Sequence, residues 1–321
     1  MKPLFGAIIL VLLAFYFAPS YANGAPNSHS SVHIRVDQSG RGDFTKIQDA
    51  IDSVPSGNSN ATFILVKPGI YREKVIVPVD KPFITLSGTN AYSTIITWNE
   101  PWTNVQAPTV SIMASDFVGK YLTIQNTFGP GAQAVALRVS GDRAAFYACR
   151  FISFQDTVLD DAGRHYYKNC YIEGATDVIC GDGKALFEKC HLHSVSKNGG
   201  AFTAQRRVTA AEDTGYSFVG CKATGVGKMI LGRPWGLYSR VVFANTYMTN
   251  AVLPSGWGDW GDPTYQRTVF FGEYRSYGPG SDASGRVVWS HQLSQPEAQP
   301  FLSMAWIDGQ DWLANPPSKH P

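Results

Sequence analysis

QAVALRVSGDRAAFYACRFISFQDTVLDDAGRHYYKNCYIEGATDVICG, residues 133–181, is the stretch whose reading decides the fold. Four of its polar residues, Gln133, Gln155, Asp156 and Asp177, are not ones that a buried turn would choose by chance. From Gln133 to Gln155 is 22 residues, and from Gln155 to Asp177 is 22 again. Equal gaps imply one coil of chain per interval. Coils stacked at the strand spacing of about 4.8 Å would bring two amides and two carboxylates onto one patch.

Working outward, a short apolar pattern around Cys or Asn recurs as YLTIQNTF (121–128), FYACRFI (146–152), YYKNCYI (166–172), LFEKCHL (186–192), YSFVGCKA (216–223) and VVFANTYM (241–248). Taking Asn126, Cys149, Cys170, Cys190, Cys221 and Asn245 as the common phase, the gaps are 23, 21, 20, 31 and 24 residues. Units of this length cannot bury a core alone and must stack. The segments are β-rich, punctuated by Gly, Asp and Asn, with no intervening helical pattern long enough for βαβ units. The expectation is an all-β chain folded as a right-handed parallel β-helix, a solenoid. An all-β sandwich with accidental spacing is the alternative.

A solenoid has open apolar ends that need covering. Before the repeats, Ile47, Ala50, Ile51 and Val54 follow the i, i+3, i+4, i+7 rule, with Thr45 and Gln48 as a capping box and Pro55 as the stop. That predicts an amphipathic helix within 43–55 as the N-terminal plug, followed by strands at 62–67, 74–77 and 83–87. Past the repeats, PSGWGDWGD (254–262) reads as an ordered loop rimming a groove, and 297–304 as a helix within a C-terminal extension. Residues 315–321 read as a frayed tail.

Residues 1–22 read as a secretory signal peptide: Lys2, an apolar run from Leu4 to Ala18, then Ser20-Tyr21-Ala22 as a cleavage site. The expected mature chain, 23–321, is one soluble, secreted, extracellular domain. No later segment is apolar enough to span a membrane. With 27 basic against 25 acidic residues and a pI near 8.2, nothing calls for nucleic acid or a membrane surface. Asn60-Ala61-Thr62 is a glycosylation sequon in a polar loop. The five Cys are an odd number, and four share one phase, which favours a buried stack of thiols over disulfides. There is no CxxC pair and the His are scattered, so a zinc site is not expected. His191 and His193 alternate along a strand and are expected to face solvent, whereas Tyr71 and Glu73 read as structural.

Two neutral amides can hold an oxyanion without charging the ground state. Two carboxylates one rung apart cannot easily both ionise, so their pKa values should split into an acid and a nucleophile or base. Arg233, in LGRPW (231–235), offers the cation that decides which, and Trp235 offers a ring of the sort that stacks on sugar faces. Paired carboxylates alone would also suit a glycosidase. The two Gln favour acyl chemistry, and there is no GxSxG elbow.

The segments GIYRE (69–73), QAVALRV (133–139), QDT (155–157), DVICG (177–181) and LGRPW, in this order, also resemble the plant pectin methylesterases, over nearly the whole mature chain. The resemblance implies a short-type member without an inhibitor-like pro-domain, acting on the methyl esters of cell-wall pectin to give methanol and de-esterified pectin. It implies Asp177 as nucleophile, Asp156 as general acid and then base, Gln133 and Gln155 as oxyanion donors, Arg233 holding Asp177 ionised and oriented, and Trp235 against substrate. It implies no cofactor, a monomer in the plant cell wall, and a possible proteinaceous pectinesterase inhibitor as partner. The chain departs from the family at Leu159 and Cys180, where aromatic residues usually face the sugar chain; Phe154 and Phe202 are expected to supply apolar surface instead. A pectin-binding β-helix with little turnover is the reading from a different class, and a pectin-cleaving hydrolase or lyase a third.

Overall fold

The computed structural model describes residues 31–313, so the signal-peptide reading and the tail lie outside the described residues. Within them the chain winds into three parallel sheets of eleven, eight and seven strands, each coil contributing one strand to each sheet through the middle of the molecule. In the coil that carries Gln155 and Asp156, Ala144–Tyr147 lies in the eleven-stranded sheet, Arg150–Ile152 in the eight-stranded and Val158–Asp160 in the seven-stranded. This is the expected parallel β-helix.

The interior is organised by side chains repeating once per coil. Phe146, Tyr167, Phe187, Phe218 and Phe243 are in register in the eleven-stranded sheet, and their rings stack at 5.1, 4.5, 4.5 and 4.4 Å. Offset stacking of this kind adds to the apolar burial. Cys149, Cys170, Cys190 and Cys221 form the expected inward row; all five thiols are buried and none is bridged. The ends of that row differ from the sequence reading. Ladder hydrogen bonds run from Arg150 N to the Leu122 carbonyl and from Tyr247 N to the Cys221 carbonyl, so Leu122 and Thr246 occupy the row, not Asn126 and Asn245. Asn245 sits one residue earlier, at the corner, where the chain takes left-handed φ values at Ala148, Asn169, Lys189 and Asn245 alike. Matching Asn to Cys by polarity misplaced the phase by one residue at Asn245 and by four at Asn126.

The N-terminal plug is the helix Ile47–Asp52, with Ile47, Ala50 and Ile51 buried. The Thr45–Gln48 capping box does not form. The Glu73 carboxylate accepts from the N–H groups of Ile47 and Gln48 instead, each at 3.0 Å, and the Gln48 side chain turns to Asp52 and Ile76. Lys81 donates to the Ile51 and Asp52 carbonyls at the other end. Tertiary groups thus satisfy the orphan helix termini that local sequence could have served. At the C-terminus, Ser294 and Glu297 do make a capping box, but the helix is only Gln295–Ala298. Pro300 cannot continue an α-helix, and the chain proceeds in short 3-10 turns that lay Phe301, Trp306 and Ile307 on the outer face of the eleven-stranded sheet.

Candidate active site

The site forms where each coil turns from the eight-stranded into the seven-stranded sheet. Along this corner the register changes by one residue. Hydrogen bonds from Ala134 N to the Gln155 carbonyl and from Ala136 N to the Thr157 carbonyl keep a 22-residue offset, which sets Gln133 beside Gln155. Leu137 N then bonds to the same Thr157 carbonyl, a one-residue bulge, and the strands continue as Leu137–Val158–Ile179 at an offset of 21. Gln155 pairs with Thr176, so the next residues, Asp156 and Asp177, are rung neighbours. The uniform 22-residue stacking is therefore corrected: amide lies beside amide and acid beside acid, in adjacent rows.

Both acids sit at left-handed backbone, φ 58° for Asp156 and 46° for Asp177. Asp tolerates this region better than most residues. It turns both side chains outward at the corner while the following residues, Thr157 and Val178, are wholly buried. Asp177 is clamped by Arg233, whose Nε donates to Oδ1 at 2.7 Å and Nη2 to Oδ2 at 2.5 Å. Such two-point contact fixes a carboxylate in plane and offsets its charge. Asp156 has no such partner. Burial, and then the neighbouring Asp177 charge, push its carboxyl up to about 7, although Arg233 pulls the other way. The two acids are chemically distinct: one clamped, the other a proton carrier poised near neutrality.

Gln133 is exposed and Gln155 half-buried, and neither side-chain amide is hydrogen-bonded to the protein among the described residues. Both remain free to donate to a bound group. Trp235 is 48% exposed, with the Arg206 guanidinium 5.2 Å from its ring. Phe154 is half-buried on the connection leading to Gln155. Phe202 is not at the surface at all. It aligns with Val178, whose N–H bonds to the Ala201 carbonyl, and it lies in the main core with Val178 and Leu231. The position just after the corner points inward, so Phe202 cannot contact a ligand.

Leu159 and Cys180 pair in register on the outer face of the seven-stranded sheet, and with Val135 and Ala204 they form a small apolar cluster under Trp102. The Cys180 thiol is pushed well up by burial and by Asp156 and Asp177, which leaves it a poor nucleophile. Two features were not singled out from the sequence. Trp260, in the loop expected to rim a groove, stacks 3.7 Å over the Arg233 guanidinium. Trp102 reaches the cluster from another coil, its backbone N–H donating to the Gln133 carbonyl. The Gly- and Trp-rich composition of 254–262 was the available signal for the first; nothing local marks the second.

The family model described as Pectinesterase matches residues 33–310. The chain belongs to the pectinesterase family. Membership makes it an enzyme, a carboxylic ester hydrolase of the pectin methylesterase kind. Among similar proteins of Arabidopsis thaliana, the one named "Putative pectinesterase 11" is 58% identical over 90% of this chain and 83% of its own length. Pectinesterase QRT1 is 43% identical over 87% of this chain and 78% of its own. Pectin methylesterase from carrot superposes with a TM-score of 0.86 at 31% identity, covering 89% of this chain and 97% of that one. A pectin methylesterase in complex with a hexasaccharide superposes at 0.75 with 25% identity, covering 91% of this chain and all (100%) of that one. Pectinesterase membership was thus legible from the five sequence segments, and the fold follows the same relatives.

Proposed function

We propose that the chain demethylates homogalacturonan in the plant cell wall through Asp177 and Asp156. An Asp177 carboxylate oxygen attacks the ester carbonyl carbon, and the charge on the carbonyl oxygen is taken by the Gln133 and Gln155 amides. Collapse of the tetrahedral species breaks the bond to the methoxy oxygen, which leaves as methanol with the proton of Asp156. The galacturonate acyl group is then held on Asp177 as an anhydride. Asp156, now a carboxylate, takes a proton from water; the hydroxide attacks the acyl carbon, frees a galacturonate carboxylate and restores Asp177. Arg233 keeps Asp177 in plane throughout, and Trp235 and Phe154 flank the sugar chain. The observation that carries this reading is the pairing of a guanidinium-clamped acid with a rung neighbour whose carboxyl titrates near 7.

Secretion after removal of residues 1–22, a single mature domain over 23–321, a monomeric state and a glycan at the half-exposed Asn60 complete the proposal. The partners are methylated homogalacturonan and a proteinaceous inhibitor. The complex of a related enzyme with a hexasaccharide supports an extended sugar chain as ligand. The test is methanol release from highly methylated pectin by the secreted protein and by Asp177→Asn, a change that the left-handed backbone accepts. Release by the parent, lost in the variant by about 10⁴-fold or more with polymer length unchanged on gel filtration, is expected. Chain shortening, or turnover that survives in the variant, overturns the assignment.

A further inference from the structure

The eight-stranded sheet carries on its outer face a row of cationic and aromatic side chains that the reaction does not use. Arg150, Tyr171, His191, Lys222 and Tyr247 are register partners on successive coils, and Tyr247 bridges to Tyr277. Their strand neighbours Phe151, Ile172, Leu192, Ala223 and Met248 are wholly buried, so by alternation the row faces outward. Six side chains over five rungs span about 24 Å along the solenoid axis.

The row is built, not scattered. The Arg150 guanidinium lies between two tyrosine rings, 4.5 Å from Tyr92 and 5.2 Å from Tyr171. His191 and His193 lie on the outward positions that the alternation predicts, half-exposed, and both engage the Thr224 hydroxyl, at 2.8 and 2.7 Å. Tyr247 and Tyr277 pack at 5.5 Å. Neither Arg150 nor Lys222 makes an ion pair among the described residues. Glu173 is the one carboxylate among the strands of this sheet, and it is engaged by the Tyr171 hydroxyl at 2.5 Å. Two unpaired cations three rungs apart, about 14 Å, with flat rings between and beyond them, match an extended polyanion with apolar sugar faces. On the two coils that carry the acids the row precedes the catalytic corner by six residues, as Arg150 precedes Asp156 and Tyr171 precedes Asp177. A polymer held there would leave the corner open.

We infer that this row is a second polysaccharide site, specific for de-esterified homogalacturonan, the product whose identity rests on the function proposed above. Each turnover creates a carboxylate. The enzyme would therefore be retained on polymer it has already processed, which raises the effective concentration of remaining esters near the catalytic corner.

The experiment measures binding of unesterified polygalacturonate at low ionic strength in an Asp177→Asn background, with the catalytic corner occupied by a short, fully methylated oligogalacturonide. The parent is compared with Arg150→Ala/Lys222→Glu and with Lys222→Glu alone, the latter an exposed position that the fold tolerates. The double variant should bind about tenfold more weakly or worse, the single about threefold, and the parent's affinity should fall with salt more steeply than the variants'. With Asp177 intact, methanol release from short methylated oligomers should be unchanged in both. Unchanged polygalacturonate binding overturns the inference, as does an equal loss of affinity for fully methylated polymer or a parallel loss of turnover on short oligomers. The ligand carries no ester, so the result stands whether or not the chain releases methanol.

Discussion

Two guanidinium–carboxylate pairs in this molecule are built from the same groups and do opposite things. Arg286 and Glu273, on the inner face of the eleven-stranded sheet, are each 3% exposed at the side chain. Arg286 donates to both Glu273 oxygens and to the carbonyls of Leu253, Pro254 and Gly280, while Trp257 adds an N–H to Glu273. Arg233 and Asp177 are 26% and 10% exposed, and the neighbour beyond the pair is a second acid. A pair whose hydrogen-bonding capacity is filled by the fold anchors a loop. A pair left open beside an unpaired acid is available for chemistry. Satisfaction, more than the identity of the residues, separates structure from function here.

The sharpest way to break the comparison is to cut each pair. Arg286→Met leaves Glu273 buried without its cation and should cost about 3–5 kcal/mol of stability, read by denaturant unfolding. Arg233→Met should cost less than half as much, because the guanidinium side of its pair is 26% exposed, yet lose nearly all methanol release. Similar stability losses in both would erase the distinction. Next in size, Gln133→Ala should lower kcat by about 100-fold or more, about 2.7–4 kcal/mol of transition-state stabilisation, with little change in KM. A change confined to KM would make that amide a binding group.

A smaller effect has an unusual sign. The Asp156 carboxyl titrates near 7 against an ordinary value of 3.8. Between those values the folded state keeps a proton that the unfolded chain has released, so stability falls as pH rises through the window and the full cost is present above about 7. Asp156→Asn should abolish turnover and yet melt a few degrees higher than the parent at pH 8, a gain of roughly 1–3 kcal/mol that vanishes below pH 4. In the parent, the step that needs the protonated acid should slow above pH 7. An Asn variant no more stable at pH 8 than at pH 4 would contradict the shifted proton. The smallest expected effect is Trp260→Ala, which removes a ring stacked on Arg233: about 1 kcal/mol, seen as a several-fold change in turnover on polymer.

The solenoid was legible because a coil repeats its buried positions, and four Cys at one phase carried that repeat through the sequence. The exact phase was less legible. Coils of 20 to 31 residues absorb their differences at corners, so Asn245 slid into a row that belongs to Thr246. The reactive set was legible as residue types, while its register was not, because the bulge at Ala136 and Leu137 is a backbone event with no side-chain signature. Phe202 looked like ligand surface only because the inward turn after the acids is invisible without coordinates. Trp102 was out of reach for a different reason: it joins the site from a neighbouring coil with no local mark, whereas the composition of 254–262 flagged the loop of Trp260 but not its stacking on Arg233.

That single extra residue acts like the offset scale of a vernier. Before it, the Gln133 and Gln155 coils match at 22 residues and two amides line up; after it, they match at 21, the offset that the next pair of coils holds at Arg150–Tyr171, Gln155–Thr176 and Val158–Ile179 and that sets the two acids side by side. Were the chain one residue shorter between Gln133 and Leu137, every sheet could still close, the core rings could still stack, and yet the amides would slide one notch away from the carbonyl they are set to receive.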